Sequence, residues 1–174
     1  YNSDSVFLVM SSLDWMTGIM FLCISCTTGA TRIVCKESFS PECFVNLCKK
    51  YKPTFSVLAP RQIAALNKYA PDPEVFASFQ FISIGGESIE FVQLQNFQKL
   101  LPRAMLGIGY GMTEAGGVTV NIGLQMGNTV GKLLPDRKLR IIDENGKNLG
   151  PNEEGEILVN NGLNWNGYYG NPLE

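Results

Sequence analysis

The sequence contains no histidine. A Ser-His-Asp or Cys-His nucleophile and a histidine-ligated metal site are therefore excluded within this chain. Concentrated charge is missing too: the net charge is −2 over 174 residues, with no basic block and no acidic tail. Electrostatics thus supply no reason to expect nucleic acid or an anionic membrane surface as a partner. The apolar stretch Trp15 to Cys26 is interrupted by Thr17, Gly18 and Ser25. It is shorter than the ~20 residues of a transmembrane segment and lacks the charged start and cleavage site of a secretory leader. A phosphate-cradling GxxxxGK(S/T) loop, internal repeats and low-complexity tracts are all absent.

Cysteine is present but odd in number, at 23, 26, 35, 43 and 48. Without a leader, that argues for reduced thiols in an intracellular compartment, cytoplasmic or peroxisomal. The pair Cys23-Ile-Ser-Cys26 has redox-motif spacing but sits in an apolar run, so it reads as core thiols. The chain opens at Tyr1 rather than methionine and stops after Asn171-Pro172-Leu173-Glu174. It reads as an internal segment whose parent supplies further N- and C-terminal parts.

What is there alternates. Short apolar runs at Val6–Met10, Thr31–Cys35, Thr54–Leu58, Phe81–Ile84 and Ala104–Ile108 have the length of buried strands. Between them the pattern predicts helices near 15–27, 41–51, 61–69 and 90–100. Ser11, Ser12 and Asp14 offer caps to the first, and Ser40-Pro41 opens the second. Strand–helix alternation predicts an α/β fold, a largely parallel sheet with helices on both faces. Beyond about residue 120 no helical pattern occurs. Lys138–Ile142 and Glu156–Val159 read as strands, and Asp143–Lys147 is a turn with the Asn-Gly hairpin signal. The predicted organisation is an α/β unit over 1–120 and an incomplete, small β-rich, barrel-like unit over 121–174.

The densest local signal is Gly107-Ile-Gly-Tyr-Gly-Met-Thr-Glu-Ala-Gly-Gly117. Glycines let a backbone approach a ligand closely. Tyr110 adds a flat face, Thr113 a hydroxyl and Glu114 an acceptor-only carboxylate. Such a set suits a nucleotide with its magnesium ion; a tight surface turn has the same composition. Met112 stands where a dinucleotide fingerprint starting at Gly107 needs a glycine. In a parallel sheet, ligands gather at the C-terminal strand edge. There Gly85-Gly86-Glu87-Ser88 and Gly107–Gly117 leave consecutive strands and are expected to flank one crevice. The Leu13–Gly18 loop, with Trp15, leaves the first strand at the same edge. No large apolar surface is expected on the helices, which disfavours a pure protein-contact module.

Tyr110-Gly-Met-Thr-Glu114 resembles the Y-G-x-T-E segment of the adenylate-forming enzymes, the group of acyl-CoA synthetases, coumarate-CoA ligases and beetle luciferases. Other segments resemble the family's in the same order. These are Asp14–Gly18, Ser83–Ser88, Val130–Pro135, Gly155–Ile157 and Gly167–Pro172. The resemblance implies that Gly85, Gly86, Glu87, Ser88, Gly109, Tyr110, Gly111, Met112 and Thr113 bind ATP or AMP, with Tyr110 stacking on adenine. It implies that Thr113 and Glu114 serve catalysis, Thr113 at phosphate and Glu114 holding Mg2+. Trp15, Thr17, Ile84, Gly111 and Ala115 would shape the acid pocket.

The implied reaction activates a carboxylic acid, fatty or aryl, as an acyl-adenylate and transfers it to coenzyme A. The alternative is a luciferase-like or non-catalytic relative that binds nucleotide or acid. The family's phosphate loop, ribose aspartate and catalytic lysine all lie outside these residues. The resemblance therefore implies that the segment alone is inactive.

Overall fold

The computed structural model describes residues 1–124, 129–163 and 166–171. Pro172, the last residue of the Gly167–Pro172 segment, lies outside them. Five strands alternate with four helices: β1 (Val6–Leu8), α1 (Met16–Thr28), β2 (Thr31–Ile33), α2 (Pro41–Tyr51), β3 (Phe55–Leu58), α3 (Pro60–Tyr69), β4 (Phe81–Ile84), α4 (Phe91–Lys99) and β5 (Met105–Met112). Then come β6 (Gly116–Ile122), β7 (Lys132–Leu133), β8 (Lys138–Ile142) and β9 (Glu156–Asn160). Among the described residues, one seven-stranded sheet has the order β2-β1-β3-β4-β5-β6-β7. The first five strands are parallel, and β6 and β7 are added antiparallel.

The order explains the layering. The chain steps one way from β1 to β2, then the other way from β2 through β5. Right-handed crossovers therefore put α1 on one face and α2, α3 and α4 on the opposite face. The core divides accordingly. On the three-helix face, Leu8, Leu58, Ile82, Ile84, Leu106 and Ile108 of the sheet meet Phe44, Ile63, Leu66, Leu94 and Phe97. On the other face, Phe7, Val9 and Phe55 meet Phe21 of α1. Adjacent residues Phe7 and Leu8 enter different cores because successive strand side chains alternate in direction.

The helix starts follow their local chemistry in part. At α2, Ser40 accepts a hydrogen bond from the Cys43 amide (3.1 Å) and Pro41 takes the first turn. At α1 the expected cap is not used. Trp15 occupies the cap position without a side-chain bond, while Ser12 Oγ donates to Asp14 Oδ2 (2.7 Å). Gly29 ends α1 in the left-handed conformation, as expected.

Two further expectations about α1 are corrected. Cys23 and Cys26 are exposed rather than core thiols. Trp15, Ile19, Met20 and Leu22 are exposed as well, so a helix surface does carry a large apolar face. The helix is apolar all round, and only the Gly18, Phe21 and Ser25 stripe is buried. Without a polar face, the sequence has no periodicity to mark which side meets the sheet.

After β5 the sheet continues past residue 120 through β6 and β7, and the β-rich unit that starts at Lys138 is a two-stranded antiparallel sheet, β8–β9. No closed barrel forms among the described residues. The Asn-Gly turn is present: Asp143 Oδ1 accepts from the Asn145 and Lys147 amides, Gly146 is left-handed, and Ile142 bridges Asn148. Asp143 is the acceptor that organises this turn.

Candidate functional site: a glycine-rich hairpin at the strand edge

The run Gly107–Gly117 is a hairpin rather than the expected loop. β5 extends to Met112, only Thr113–Ala115 turn, and β6 returns from Gly116. Glycine is a weak strand former, but β5 is paired on both sides, with β4 and β6, so its backbone groups are satisfied by the sheet. The register slips between Tyr110 and Gly111, since Tyr110 pairs Thr119 and Gly111 pairs Gly117. A β-bulge of this kind re-aims side chains at a strand end.

Gly85 and the hairpin are neighbours, as the adjacency of consecutive strands predicts. Ile84 pairs Ile108 in parallel register, and a Cβ on Gly85 would lie 2.9 Å from the Gly109 carbonyl oxygen. Two glycine backbones thus run side by side at the C-terminal edge, with half-buried Tyr110 next in the strand. Gly111 permits a closer approach than Gly85 does, since a Cβ there would stand 2.4 Å from the Gly116 carbonyl oxygen. The two glycine segments open together, and Tyr110 is not packed into the interior.

The other predicted residues divide. Met112 and Thr113 are exposed at the hairpin tip, and Glu114 and Ala115 are half-buried beside them. Gly86 and Ser88 are exposed after β4. Glu87 forms an ion pair with Arg61 of α3, so its carboxylate faces along the surface. Ile84 is 1% exposed and packs in the larger core. Trp15, on the loop leaving β1, is 68% exposed, and Thr17, in the first turn of α1, is half-buried. β3 stands between β1 and β4, which places that loop about 10 Å of sheet away. The structure therefore brings Gly85, Gly109, Tyr110, Gly111, Thr113 and Glu114 together, and leaves Trp15 and Thr17 to one side.

Three residues at this site escaped the sequence reading: Arg137, Asn161 and Tyr168. Tyr168 Oη donates to Glu114 Oε1 across 54 residues of sequence. Asn161 Nδ2 donates to the Ala115 carbonyl (3.2 Å), and Arg137 donates to the carbonyls of Gly117 (3.1 Å) and Asn161 (3.2 Å). The hairpin tip is thus tied to the segments around β8 and β9. The Glu114 carboxyl is held below its ordinary value by the Tyr168 hydrogen bond first and by its own backbone amide second. The Gly167–Pro172 resemblance was the one signal for Tyr168, and it carried no role for that side chain.

Neither hollow described in the fold covers the glycine ridge. One of about 360 Å³ lies among Ile142–Asn145 and Glu154–Glu156. The other, about 420 Å³, lies between the loops that follow β1 and β2.

A parallel α/β sheet with glycine turns at its C-terminal edge is the architecture of a nucleotide-binding protein. The sequence model of the family described as AMP-binding enzyme matches residues 1–169. The chain belongs to that family. It is 28% identical to 4-coumarate–CoA ligase-like 6 of Arabidopsis thaliana, over 98% of this chain and 31% of that protein. It is 32% identical to the nicotinic acid–CoA ligase pyr1 of Aspergillus fumigatus, over 70% of this chain and 22% of that protein. The solved luciferase-like enzyme from the nonluminescent mealworm Zophobas morio superposes with a TM-score of 0.79 at 27% identity, over 92% of this chain and 39% of that one. The chain spans about a third or less of the length of the curated relatives it matches. No helix among the described residues is long and apolar enough to cross a membrane.

Proposed function

We propose that this chain supplies the adenine-binding wall and one magnesium-binding carboxylate of an ATP-dependent acid–thiol ligase. The reaction would begin with attack of a substrate carboxylate on the α-phosphate of ATP, giving acyl-adenylate and pyrophosphate. The thiol of coenzyme A would then displace AMP. The observation that carries this reading is the side-by-side placement of Gly85 and Gly109, with Tyr110 beside them and Glu114 at the hairpin tip.

In this assignment the bare backbones of Gly85–Ser88 and Gly109–Gly111 admit a purine edge, and Tyr110 stacks on its face. Thr113, exposed at the tip, donates to a phosphate oxygen. Tyr168 fixes the Glu114 carboxylate through Oε1, and this carboxylate would meet the cation. No cluster of three ligating side chains occurs among the described residues. A magnesium ion held by one carboxylate and by substrate phosphates needs no such cage, so Glu114 fits the requirement. The metal would neutralise phosphate charge, and the chain's part is placement. Trp15, Thr17, Gly111 and Ala115 border the acid in this assignment, and Ile84 supports the wall from within. The acid is fatty or aryl in this assignment; the two relatives given above are named for different acids, coumarate and nicotinate.

The test is Glu114→Ala in the full-length protein. Acid-dependent exchange of labelled pyrophosphate into ATP is expected to fall by ~10²-fold or more, with an unchanged circular dichroism spectrum. Exchange at the wild-type rate would remove Glu114 from the reaction. The similarity to the mealworm enzyme supports a second reading, a luciferase-like relative that forms an adenylate without passing it to a thiol. Product analysis separates them: acyl-CoA forms under the first reading and does not under the second.

A further inference from the structure

Outside the hairpin, the fold brings the thiols of Cys35 and Cys43 together. Cys35 lies just past β2, and Cys43 lies in the first turn of α2. Their sulfurs are 3.9 Å apart in hydrogen-bond contact. Both are half-buried, so a small reagent reaches them, whereas Cys48 is buried and Cys23 and Cys26 stand exposed on α1. The segment joining the pair, residues 34–40, is irregular. Cys35 through Ser38 line the 420 Å³ hollow together with Val9–Leu13 of the loop after β1.

We propose that Cys35 and Cys43 form a thiol–disulfide exchange site that takes small-molecule disulfides as substrate and closes into an intramolecular bridge. Bridging needs the sulfurs to move from 3.9 Å to about 2.05 Å. That shift falls on an irregular loop rather than on helix or sheet. The two sulfurs are not equivalent. The Cys43 thiol is pushed up to about 11 by burial, by Cys35 and by the Glu37 carboxylate beside it. Cys35 lines the hollow and Cys43 does not, so Cys35 is the sulfur that an incoming disulfide meets first.

In the first step the Cys35 thiolate attacks one sulfur of the small disulfide. The S–S bond of the reagent breaks, one thiolate leaves, and a mixed disulfide remains on Cys35. Cys43 then loses its proton to solvent and attacks the Cys35 sulfur, releasing the second small thiol. Two protein thiols lose two electrons and two protons, and the reagent gains both as two thiols. The proposal is independent of the ligase reading.

The experiment uses the protein with Cys23→Ser and Cys26→Ser, which removes the exposed thiols that would cross-link molecules. It is equilibrated in glutathione–glutathione disulfide buffers of graded ratio, trapped by alkylation and digested with trypsin. Cleavage after Lys36 separates the two cysteines, so a bridge joins the peptide Ile33–Lys36 to the peptide Glu37–Lys49. The expected product is that linked pair, with loss of two hydrogen atoms. Fragmentation should place the link on Cys43 and leave Cys48 alkylated. With Cys43→Ser added, a glutathione adduct should persist on Cys35. Separate adducts on Cys35 and Cys43 without a link, full alkylation of both at the most oxidising ratio, or a link to Cys48 would each overturn the proposal.

Discussion

Glu114 shows how a hydrogen bond, rather than burial, can set the charge of one side chain. Its carboxyl is depressed chiefly because Tyr168 donates to the charged form. A depressed carboxyl adds stability above its unfolded value of 4.5, and that contribution disappears as pH falls through the folded value. The contact should therefore be intact at neutral pH and lost only in acid. Tyr168→Phe removes the donor and keeps the ring. A carbon-detected NMR titration of Glu114 should then move back up toward 4.5. An unmoved titration would show that the backbone amide alone sets the shift. At the same site, Glu87 is a lesser feature. Its pair with Arg61 is exposed, and such pairs contribute ~0–1 kcal/mol.

At the scale of elements, the hairpin is the part whose form depends most on lacking side chains. Gly111→Ala would place a methyl 2.4 Å from the Gly116 carbonyl oxygen, a backbone atom that the β5–β6 ladder holds in place. A loss of ~1–3 kcal/mol is expected in chemical denaturation, with larger amide-exchange changes in β6 than in β3. The helices α2 and α3 were legible because each has an amphipathic period and a proline at its start, and α4 by its amphipathic period alone. α1 could be found but not oriented, since every side of it is apolar. β6 was missed although Val118-Thr119-Val120-Asn121-Ile122 alternates with strand period, because the Gly116-Gly117 pair before it reads as the end of a turn. It forms because the β5 edge offers unpaired backbone groups beside it. The crevice could be inferred from strand adjacency, whereas the bonds from Arg137, Asn161 and Tyr168 join residues 20 to 54 apart. No local spacing encodes contacts of that range.

The whole molecule has two unequal faces and one polar junction. The three-helix face holds most of the core, so Phe97→Ala, at 0% exposure, should cost about 3–5 kcal/mol. Leu22→Asn on the open side of α1 should stay within about 0.5 kcal/mol. The junction between the sheet and the β8–β9 unit is of another kind, tied by hydrogen bonds from Arg137, Asn161 and Tyr168. Each such bond contributes about 1 kcal/mol net, against a core many times larger, so the junction should open without unfolding the sheet. Arg137→Ala removes donors to Gly117 and Asn161 together. Amide exchange in residues 113–117 and 160–163 should accelerate by ~10-fold or more, as loss of about 1.4 kcal/mol of local stability implies, while β3 and β4 keep their protection. If instead the whole sheet exchanged faster in step, the hairpin tip and the parallel strands would be one cooperative unit. The Glu114 carboxylate would then be held by the core rather than by the junction.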